Sequence, residues 1–388
     1  MTEISYAYSN LADSMAVGEA LSKELLEGMK GEAPHVVILF ASSRFDSEVL
    51  LESIQGLCRP AMIVGCTSAG EFTSGGFGPG AASALAIRST NIRFSVRLAR
   101  DIDADRLASI EKLAASLEGL KDFTFPFRSL LVLTDALAGQ SEESMGLLNQ
   151  ASGGIYQIFG GGAGDDGRFE STKVFAGTKA YSRSMVVLEI LSKKPLGIGI
   201  VHGWQPGSEP MRVTKSDGMR LIGLNAAPAF EAFEEYAKTT AQELDKADPF
   251  PFFLHNIIGI ETPDGMKLRV PLKVEADGSI LCAAEIPEGA SVRIMSTSVA
   301  STTSAAMEAS RTALKGLEGA KPKAVLFFDC VATRLRMGKD FGGELEAMSG
   351  VLGRVPYVGC NTYGQIAKVD GQFNGFHNCT AVVCALPE

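Results

Sequence analysis

The amino-acid sequence predicts an α/β protein of two domains, in which repeated strand-helix-strand units form helix-covered mixed sheets. Short β-branched runs alternate with segments of helical periodicity, as in layered α/β folds. The same order of segments occurs three times along the chain, and a glycine-rich segment follows the second strand each time. With 388 residues, of which 46% are hydrophobic, the chain can bury a large core and is long enough for two domains.

The first unit begins with a strand-like run at residues 36–41, VVILFA, and continues with a helical segment at 47–57. A second strand at 61–64 leads into Gly65-Cys66-Thr67-Ser68-Ala69-Gly70-Glu71, and a closing strand follows at 83–88. We expect the glycine-rich segment to be a turn that exposes small side chains and backbone N–H groups.

The second unit repeats this order, with strands at 130–133 and 156–159 around a helix at 141–151. Its glycine-rich segment is GGGAG at 160–164, and its closing strand lies at 185–191. No Lys-Ser/Thr pair follows these glycines and two aspartates do, so a phosphate loop is not expected.

The third unit has a strand at 324–328, a helix at 341–352 and a closing strand at 380–385. Its turn segment is PYVGCNTYGQ at 356–365. This segment is more similar to GCTSAGE of the first unit than the glycine-rich segment of the second unit is. Because the glycines end in turns and do not begin a helix, the pattern differs from a Rossmann domain.

A break at Lys193-Lys194-Pro195 predicts the domain boundary, which gives domains at 1–194 and 195–388. In the second domain we expect a polar helix at 228–244. Turn signals at Pro-Asp-Gly and similar triplets predict an antiparallel meander around 270–294.

Composition makes several classes of partner poor candidates. The formal net charge is -9 and the sequence pI about 5.2, so the mean field repels nucleic-acid phosphates and anionic membranes. Residues 1–26 do not resemble a signal peptide and the apolar runs are too short to cross a bilayer, so we expect a cytoplasmic protein. Seven cysteines without a C-x-x-C pair indicate reduced core thiols.

Several motifs, in order, resemble a known family. Gly65-Cys66-Thr67-Ser68-Ala69-Gly70-Glu71 is similar to the hallmark of the FIST N-terminal domain. The second half resembles the FIST C-terminal domain through motifs that span most of its length, namely His202-Gly203-Trp204, Val213-Thr214, Pro228-Ala229, Pro287-Glu288-Gly289, the 358–365 segment VGCNTYGQ and Phe376-His377-Asn378. Where the family commonly has an aromatic and an acidic residue, this chain has Cys360 and Gln365.

The resemblance implies a sensory input protein of bacterial signal transduction that binds a small ligand. Its implied partners are histidine kinases of two-component systems, cyclic-di-GMP enzymes or chemotaxis proteins. One branch of the family resembles haem-binding nitric-oxide sensors, so a haem b cofactor is one implied possibility. The alternative is a sensor for a colourless small metabolite, for example an amino acid.

We expect the ligand to lie where the glycine-rich turns of the repeated units converge, because irregular backbone at strand ends offers both polar groups and space. The predicted pocket residues come from the first and third turns and are Cys66, Thr67, Ser68, Glu71, Asn361, Thr362 and Tyr363.

A haem iron would need an axial ligand, and His255, His377 and His202 are the candidates. If no histidine serves, a Cys or Tyr ligand remains, and Cys360 and Tyr363 are the ones to test. A structural hydrogen-bonding role is the alternative for each histidine. His35 opens a strand, which makes it a poorer candidate. Apart from haem iron we expect no metal.

Catalysis is the alternative from another class. A hydrolase or transferase could use Cys66 or Ser68 as its nucleophile with Glu71 as a base. A nucleophile of this kind needs an oriented base, usually histidine, and none is close in the sequence. We therefore expect a binding protein and not an enzyme.

Overall fold

The computed structural model describes residues 2–369 and 375–388 and has the predicted mixed α/β class. Three six-stranded sheets belong to three copies of one structural unit, and a nine-stranded sheet belongs to an insertion in the third copy. Within the described residues, no helix is long and apolar enough to span a membrane.

The elements of units 1 and 2 follow the same order. Unit 1 contains β1 (Thr2–Ser9), α1 (Ser14–Gly28), β2 (Val36–Ser42), α2 (Ser47–Cys58), β3 (Met62–Ser68), β4 (Glu71–Thr73), β5 (Gly76–Gly78) and β6 (Ala82–Ser89). Unit 2 contains β7 (Ile92–Ala99), α3 (Arg106–Ala115), β8 (Phe127–Thr134), α4 (Ser141–Ala151), β9 (Gln157–Gly162), β10 (Val174–Ala176), β11 (Lys179–Tyr181) and β12 (Met185–Ser192).

Unit 3 is interrupted by the insertion. It opens with β13 (Gly197–Val201). The insertion contains β14 (Gln205–Pro206), β15 (Met211–Asp217), β16 (Arg220–Leu224), β17 (Ala227–Pro228), α5 (Ala229–Thr239), α6 (Phe250–Phe253), β18 (Asn256–Thr262), β19 (Gly265–Arg269), β20 (Pro271–Val274), β21 (Ile280–Cys282) and β22 (Ser291–Ser296). The unit resumes with α7 (Val299–Gly316), β23 (Pro322–Cys330), α8 (Val331–Met337), α9 (Phe341–Leu352), β24 (Tyr357–Thr362), β25 (Gln365–Lys368), β26 (Gly375–His377) and β27 (Ala381–Pro387).

The predicted threefold repeat is confirmed. In each unit the two central strands are parallel neighbours, β2 with β3, β8 with β9 and β23 with β24, and the closing strand is antiparallel to the first of them. Gly65, Gly160 and Gly359 occupy equivalent places, since a Cβ on any of them would lie 1.9–2.0 Å from a carbonyl oxygen of the neighbouring strand.

The sequence had suggested that the glycine-rich segments are turns throughout their length. The structure shows that they are not. Residues 65–68, 160–162 and 359–362 complete the second strand of their units, and only the residues after them turn. Because glycine has no side chain, the second strand can pack closely against the backbone of the neighbouring strand. Glycine therefore marks a close approach of two strands here, in addition to a turn.

The three units exchange an antiparallel strand pair in a cycle. β4 and β5 of unit 1 extend the sheet of unit 3, β10 and β11 of unit 2 extend that of unit 1, and β25 and β26 of unit 3 extend that of unit 2. The predicted boundary at 194/195 falls between β12 and β13, the last strand of unit 2 and the first of unit 3. Two of the exchanges cross it.

Apolar side chains of all three sheets meet in a central core. Phe328 of unit 3 packs edge-on against Phe40 of unit 1, with ring centroids 5.5 Å apart, and lies 6.3 Å from Phe159 of unit 2. Each unit covers the outer face of its sheet with helices, which bury a second set of apolar side chains. Burial on both faces explains the continuous apolar run VVILFA at 36–41.

The insertion forms its own apolar core and differs from the predicted elements in two ways. The helix predicted at 228–244 ends at Thr239, because the hydroxyl groups of Thr239 and Thr240 donate to carbonyls of the preceding turn and Ala241 adopts a left-handed φ of 53°. The expected meander is only partial: β20 pairs with β21, whereas β22 pairs with β15 and β18.

Replacing Gly65 by alanine should strongly destabilise the fold, by roughly 3 kcal/mol or more, because its Cβ would lie 1.9 Å from the Leu39 carbonyl oxygen and the backbone would have to move. Urea denaturation measures the change. Gly56→Ala is the matched control, since that exposed position on α2 has open space and should gain about 0.5–1 kcal/mol. Equal stability of the two variants would contradict the close-approach explanation.

Candidate functional site

The turns of the three units converge, as predicted, at a pseudo-threefold axis. The backbone N–H of Ala69 donates to the Asn361 carbonyl, that of Tyr363 to Gly162, and that of Gly164 to Thr67, each at 2.9 Å. Each pair of turns also exchanges a return hydrogen bond, from Asn361 to Gly70, from Gly162 to Gly364, and from Thr67 to Lys173. We call these six bonds the axial ring.

The first and third turns carry the same side-chain bridge. Glu71 accepts a hydrogen bond from the Ala81 backbone N–H at 2.9 Å, and its other oxygen lies 2.6 Å from Ser68 Oγ. In unit 3, Gln365 accepts from the Thr380 N–H at 3.2 Å and donates to Thr362 Oγ1 at 2.9 Å. Both bridges tie the turn to the start of the closing strand.

Glu71 behaves as a neutral side chain in this bridge. It is fully buried, and burial raises the pKa of its carboxyl to about 8. A protonated carboxyl has one acceptor and one donor, which matches the amide of Gln365 at the equivalent position. The Ser68 hydroxyl donates to Glu71 Oε1, so this bridge joins the same two positions as that of Gln365 and Thr362.

Two other predicted residues of the first turn and one of the third turn are also engaged in the fold. Cys66 is fully buried in the central core, where it lies beside Cys360. Thr67 exchanges hydrogen bonds with the Lys173 backbone across the β3–β10 boundary. Asn361 donates to Asp329 at 3.4 Å and is fully buried. The structure thus brings these residues together, but inside the packed axis and away from the large cavity.

A large apolar cavity lies next to the axial ring. Its volume is about 530 Å³, within the range of small-molecule sites. Four parts of the chain enclose it: the 136–139 segment of unit 2, the unit 2 loop at 167–169, the insertion, and α8 with the third turn. Its lining is largely apolar and comprises Ala136, Leu137, Gly139, Gly167, Phe169, Met219, Phe250, Val270, Leu272, Leu281, Cys282, Ala283, Cys330, Val331, Ala332, Leu335, Tyr363, Gly364 and Asn378.

Tyr363 is the one predicted pocket residue among those that line the cavity. Its ring stacks on Phe169, with centroids 4.3 Å apart and planes at 17°, and its hydroxyl donates to Asp165. Asp165 also accepts the backbone N–H groups of residues 169–171. Burial opposes ionisation of Asp165, but these hydrogen bonds outweigh it and leave its pKa below the ordinary value. Asp165 therefore holds Phe169 against Tyr363 as one wall of the cavity.

The three histidine candidates lie elsewhere. Within the described residues, the cavity lining includes no histidine. His202 Nε2 lies 3.1 Å from the Met266 carbonyl oxygen, and His255 is exposed after α6. His377 ends β26 and is buried, and burial together with Lys267 and Arg269 holds its pKa well below the ordinary value. This donor set does not fit a histidine-ligated haem in the cavity.

Metal-ligating side chains do not cluster either. In the part of the chain that the structure describes, no group of three or more His, Cys, Asp or Glu side chains could hold a metal ion. The paired Asp165 and Asp166 instead organise loops, since Asp166 accepts hydrogen bonds from Ser42 and from the backbone and hydroxyl of Ser43.

Most cavity residues carry no motif, and sequence reasoning missed them. They are single apolar residues from segments far apart in the chain, such as Ala136, Met219 and Leu335. One signal was present: Phe169 and Leu335 are large apolar side chains that remain 39% and 41% exposed, which is typical of a binding cleft.

The neutral bridge predicts a pH-dependent effect of Glu71→Gln. The unfolded carboxyl ionises near 4.5 and the folded one near 8, so wild-type stability falls as pH rises through this window, whereas the variant has no proton to lose. Urea denaturation should show similar stability at pH 5 and a variant more stable by on the order of a few kcal/mol at pH 8.5.

The reverse exchange, Gln365→Glu, is the matched control, since it places a new buried acid in unit 3. It should destabilise the protein more at pH 8.5 than at pH 5. If the stability difference between wild type and Glu71→Gln is the same at both pH values, Glu71 is not neutral in the folded protein.

Comparisons with known proteins identify the family. The model of the FIST N domain matches residues 35–227, and that of the FIST C domain matches residues 229–368. A search of curated proteins found no match. Cyanuric acid hydrolase from A. caulinodans is 9% identical, with 100% of both chains covered and a TM-score of 0.35. PurL from T. maritima complexed with AMPPCP is 14% identical, with 100% of this chain and 72% of that chain covered and a TM-score of 0.22.

These two structural likenesses are too weak to support a conclusion about fold or function. The two family models together span most of the chain, from unit 1 into the third turn. The chain belongs to the FIST family, whose domains are sensory domains of signal transduction.

Proposed function

We propose that this protein senses a largely apolar small molecule that binds in the cavity beside the axial ring. The observation that carries the proposal is the cavity of about 530 Å³, lined mainly by apolar side chains, with Tyr363 and Asn378 as polar groups. Apolar walls with a few polar groups favour binding by burial of apolar surface, with orientation from the polar groups.

The position of α8 suggests how a structural change caused by ligand binding is transmitted to the surface of the protein. Val331, Ala332 and Leu335 of this helix line the cavity. On the same helix, Arg336 donates a hydrogen bond to Thr302 at the start of α7, one of the helices that cover the unit 3 sheet. A ligand that shifts α8 would therefore shift the first turn of α7. We propose a histidine kinase or a cyclic-di-GMP enzyme as the protein that responds.

We propose binding without turnover. The groups of the alternative Cys66-dependent hydrolase are all buried: Cys66 and Ser68 are 0% exposed, and Ser68 is engaged by Glu71. Burial also raises the pKa of Glu71, so at neutral pH this residue holds its proton and is not poised to act as a base.

A ligand for the cavity should raise the melting temperature of the wild-type protein. At 100 times its Kd a ligand contributes about 2.7 kcal/mol, and a chain of this length has an unfolding entropy of about 0.8 kcal/mol/K, so we expect a rise of about 3 °C. Differential scanning fluorimetry with a panel of apolar and amphipathic small molecules measures it.

Ala283→Trp places an indole in the cavity and should abolish the rise. Ala108→Trp, at an exposed position on α3, is the control and should preserve it. A ligand that stabilises wild type and Ala283→Trp equally binds elsewhere, and the proposal would then be wrong.

The haem and nitric-oxide hypothesis predicts a sharp Soret band when haemin is added to the purified protein. Because the cavity lining includes no histidine among the described residues, we expect haemin added to the purified protein to give no sharp Soret band of a histidine-ligated haem. A sharp band that disappears in His202→Ala, His255→Ala or His377→Ala, with the fold retained by circular dichroism, would instead establish a haem sensor.

A further inference from the structure

Two cysteines line the cavity from different parts of the chain. Cys330 ends β23 and immediately precedes α8, and Cys282 ends β21 in the insertion. A third thiol, that of Cys379, neighbours Cys330 in a buried cluster that also contains Trp204 and Val270. The cavity therefore has a thiol pair at one wall and a single thiol at another.

The two cavity thiols differ in their ionisation. A hydrogen bond from the Cys379 thiol lowers the pKa of Cys330 to about 6, although burial acts in the opposite direction. Burial raises the pKa of Cys282 to about 12. Cys330 is therefore the more acidic of the two cavity thiols.

The charged groups around the pair favour the thiolate. Arg336 on α8 lies close to both thiols, with its guanidinium 5.6 Å from the centre of the Trp204 ring. Burial raises the pKa values of Asp329 on β23 and Glu344 on α9, so both carboxyls tend toward the neutral form. Arg336 is then the dominant nearby charge, and it attracts a sulfur anion.

We propose that Cys330 is a covalent attachment site for soft carbon electrophiles of the α,β-unsaturated carbonyl class that enter the cavity. The proposal deepens the proposed function, since it names a ligand class for the same cavity. Three features together support it: the Cys330 side chain on the cavity wall, the Cys379 side chain beside it in the same buried cluster, and an apolar space large enough for the electrophile.

The reaction is a conjugate addition and needs no co-reactant. The sulfur of Cys330 forms a C–S bond with the β-carbon, and the C=C π electrons move onto the carbonyl to give an enolate. The enolate then takes one proton from water at its α-carbon. The product is a thioether, and nothing is oxidised or released.

N-ethylmaleimide tests the proposal on the native protein. After brief treatment at pH 7, peptide mapping by mass spectrometry should find Cys330 labelled at least about 100-fold faster than Cys282. The lower pKa of Cys330 gives it the larger thiolate fraction, an advantage partly offset by the higher intrinsic nucleophilicity of the more basic thiol. The rate at Cys330 should rise with pH with a midpoint near 6.

Cys379→Ala removes the donor, so it should raise that midpoint by a unit or more and slow labelling several-fold at pH 7. Cys58→Ser, at the end of α2, is the control and should leave labelling of Cys330 unchanged. The wild-type pH profile keeps the test valid if Cys379→Ala folds poorly. Labelling of Cys282 at the same rate as Cys330, or labelling of Cys330 only after unfolding, would overturn the proposal.

The covalent site at Cys330 and the sensory role of the cavity can be disproved independently of each other. If maleimide spares Cys330 while reversible ligands still stabilise wild type and not Ala283→Trp, the covalent site is wrong and the sensory cavity stands. If Cys330 is labelled equally fast in wild type and Ala283→Trp, the reagent does not reach it through the cavity, and the covalent proposal is wrong in that form.

Discussion

The axial ring is the constraint on which the rest of the structure depends. Six backbone hydrogen bonds join three turns that are far apart in sequence, and each strand pair that follows a turn crosses into the next unit's sheet. Backbone groups buried at this point have no access to water, so leaving any one unpaired would cost free energy. At the contact between the first and second turns only a small side chain fits, since a Cβ on Gly164 would lie 3.0 Å from that of Ala69.

This constraint explains why the residues of the most recognisable motif are engaged in holding the fold together. Glu71 and Gln365 make the same bridge in two units, so their role is to hold a turn against its closing strand. A site that serves a specific ligand has to use features in which the units differ. The cavity does so: it is bounded by the insertion, by α8, and by the loop that carries Phe169 in unit 2.

The sequence was sufficient for the parts of the fold that local patterns determine. Helices at 141–151 and 341–352, the paired parallel strands and the meeting of the turns all follow from apolar periodicity, repetition and glycine placement. The strand exchange could not be predicted in this way, because it depends on pairing between residues such as Glu71 and Cys360 that are far apart in the chain. Nor could the cavity, which is a space left between segments and has no residue pattern of its own.

Tyr363 connects the ring to the cavity. Ala69, Gly164 and Tyr363 occupy equivalent places, since each donates the ring's hydrogen bond to the next unit, yet only Tyr363 has a side chain that extends beyond Cβ. That side chain leaves the axis, bonds to Asp165 and stacks on Phe169 at the cavity wall. The axial ring fixes the backbone of Tyr363, whereas the aromatic face of this residue lies at the cavity wall. A ligand that displaces Phe169 from this face would therefore act on a residue whose position the whole threefold arrangement determines.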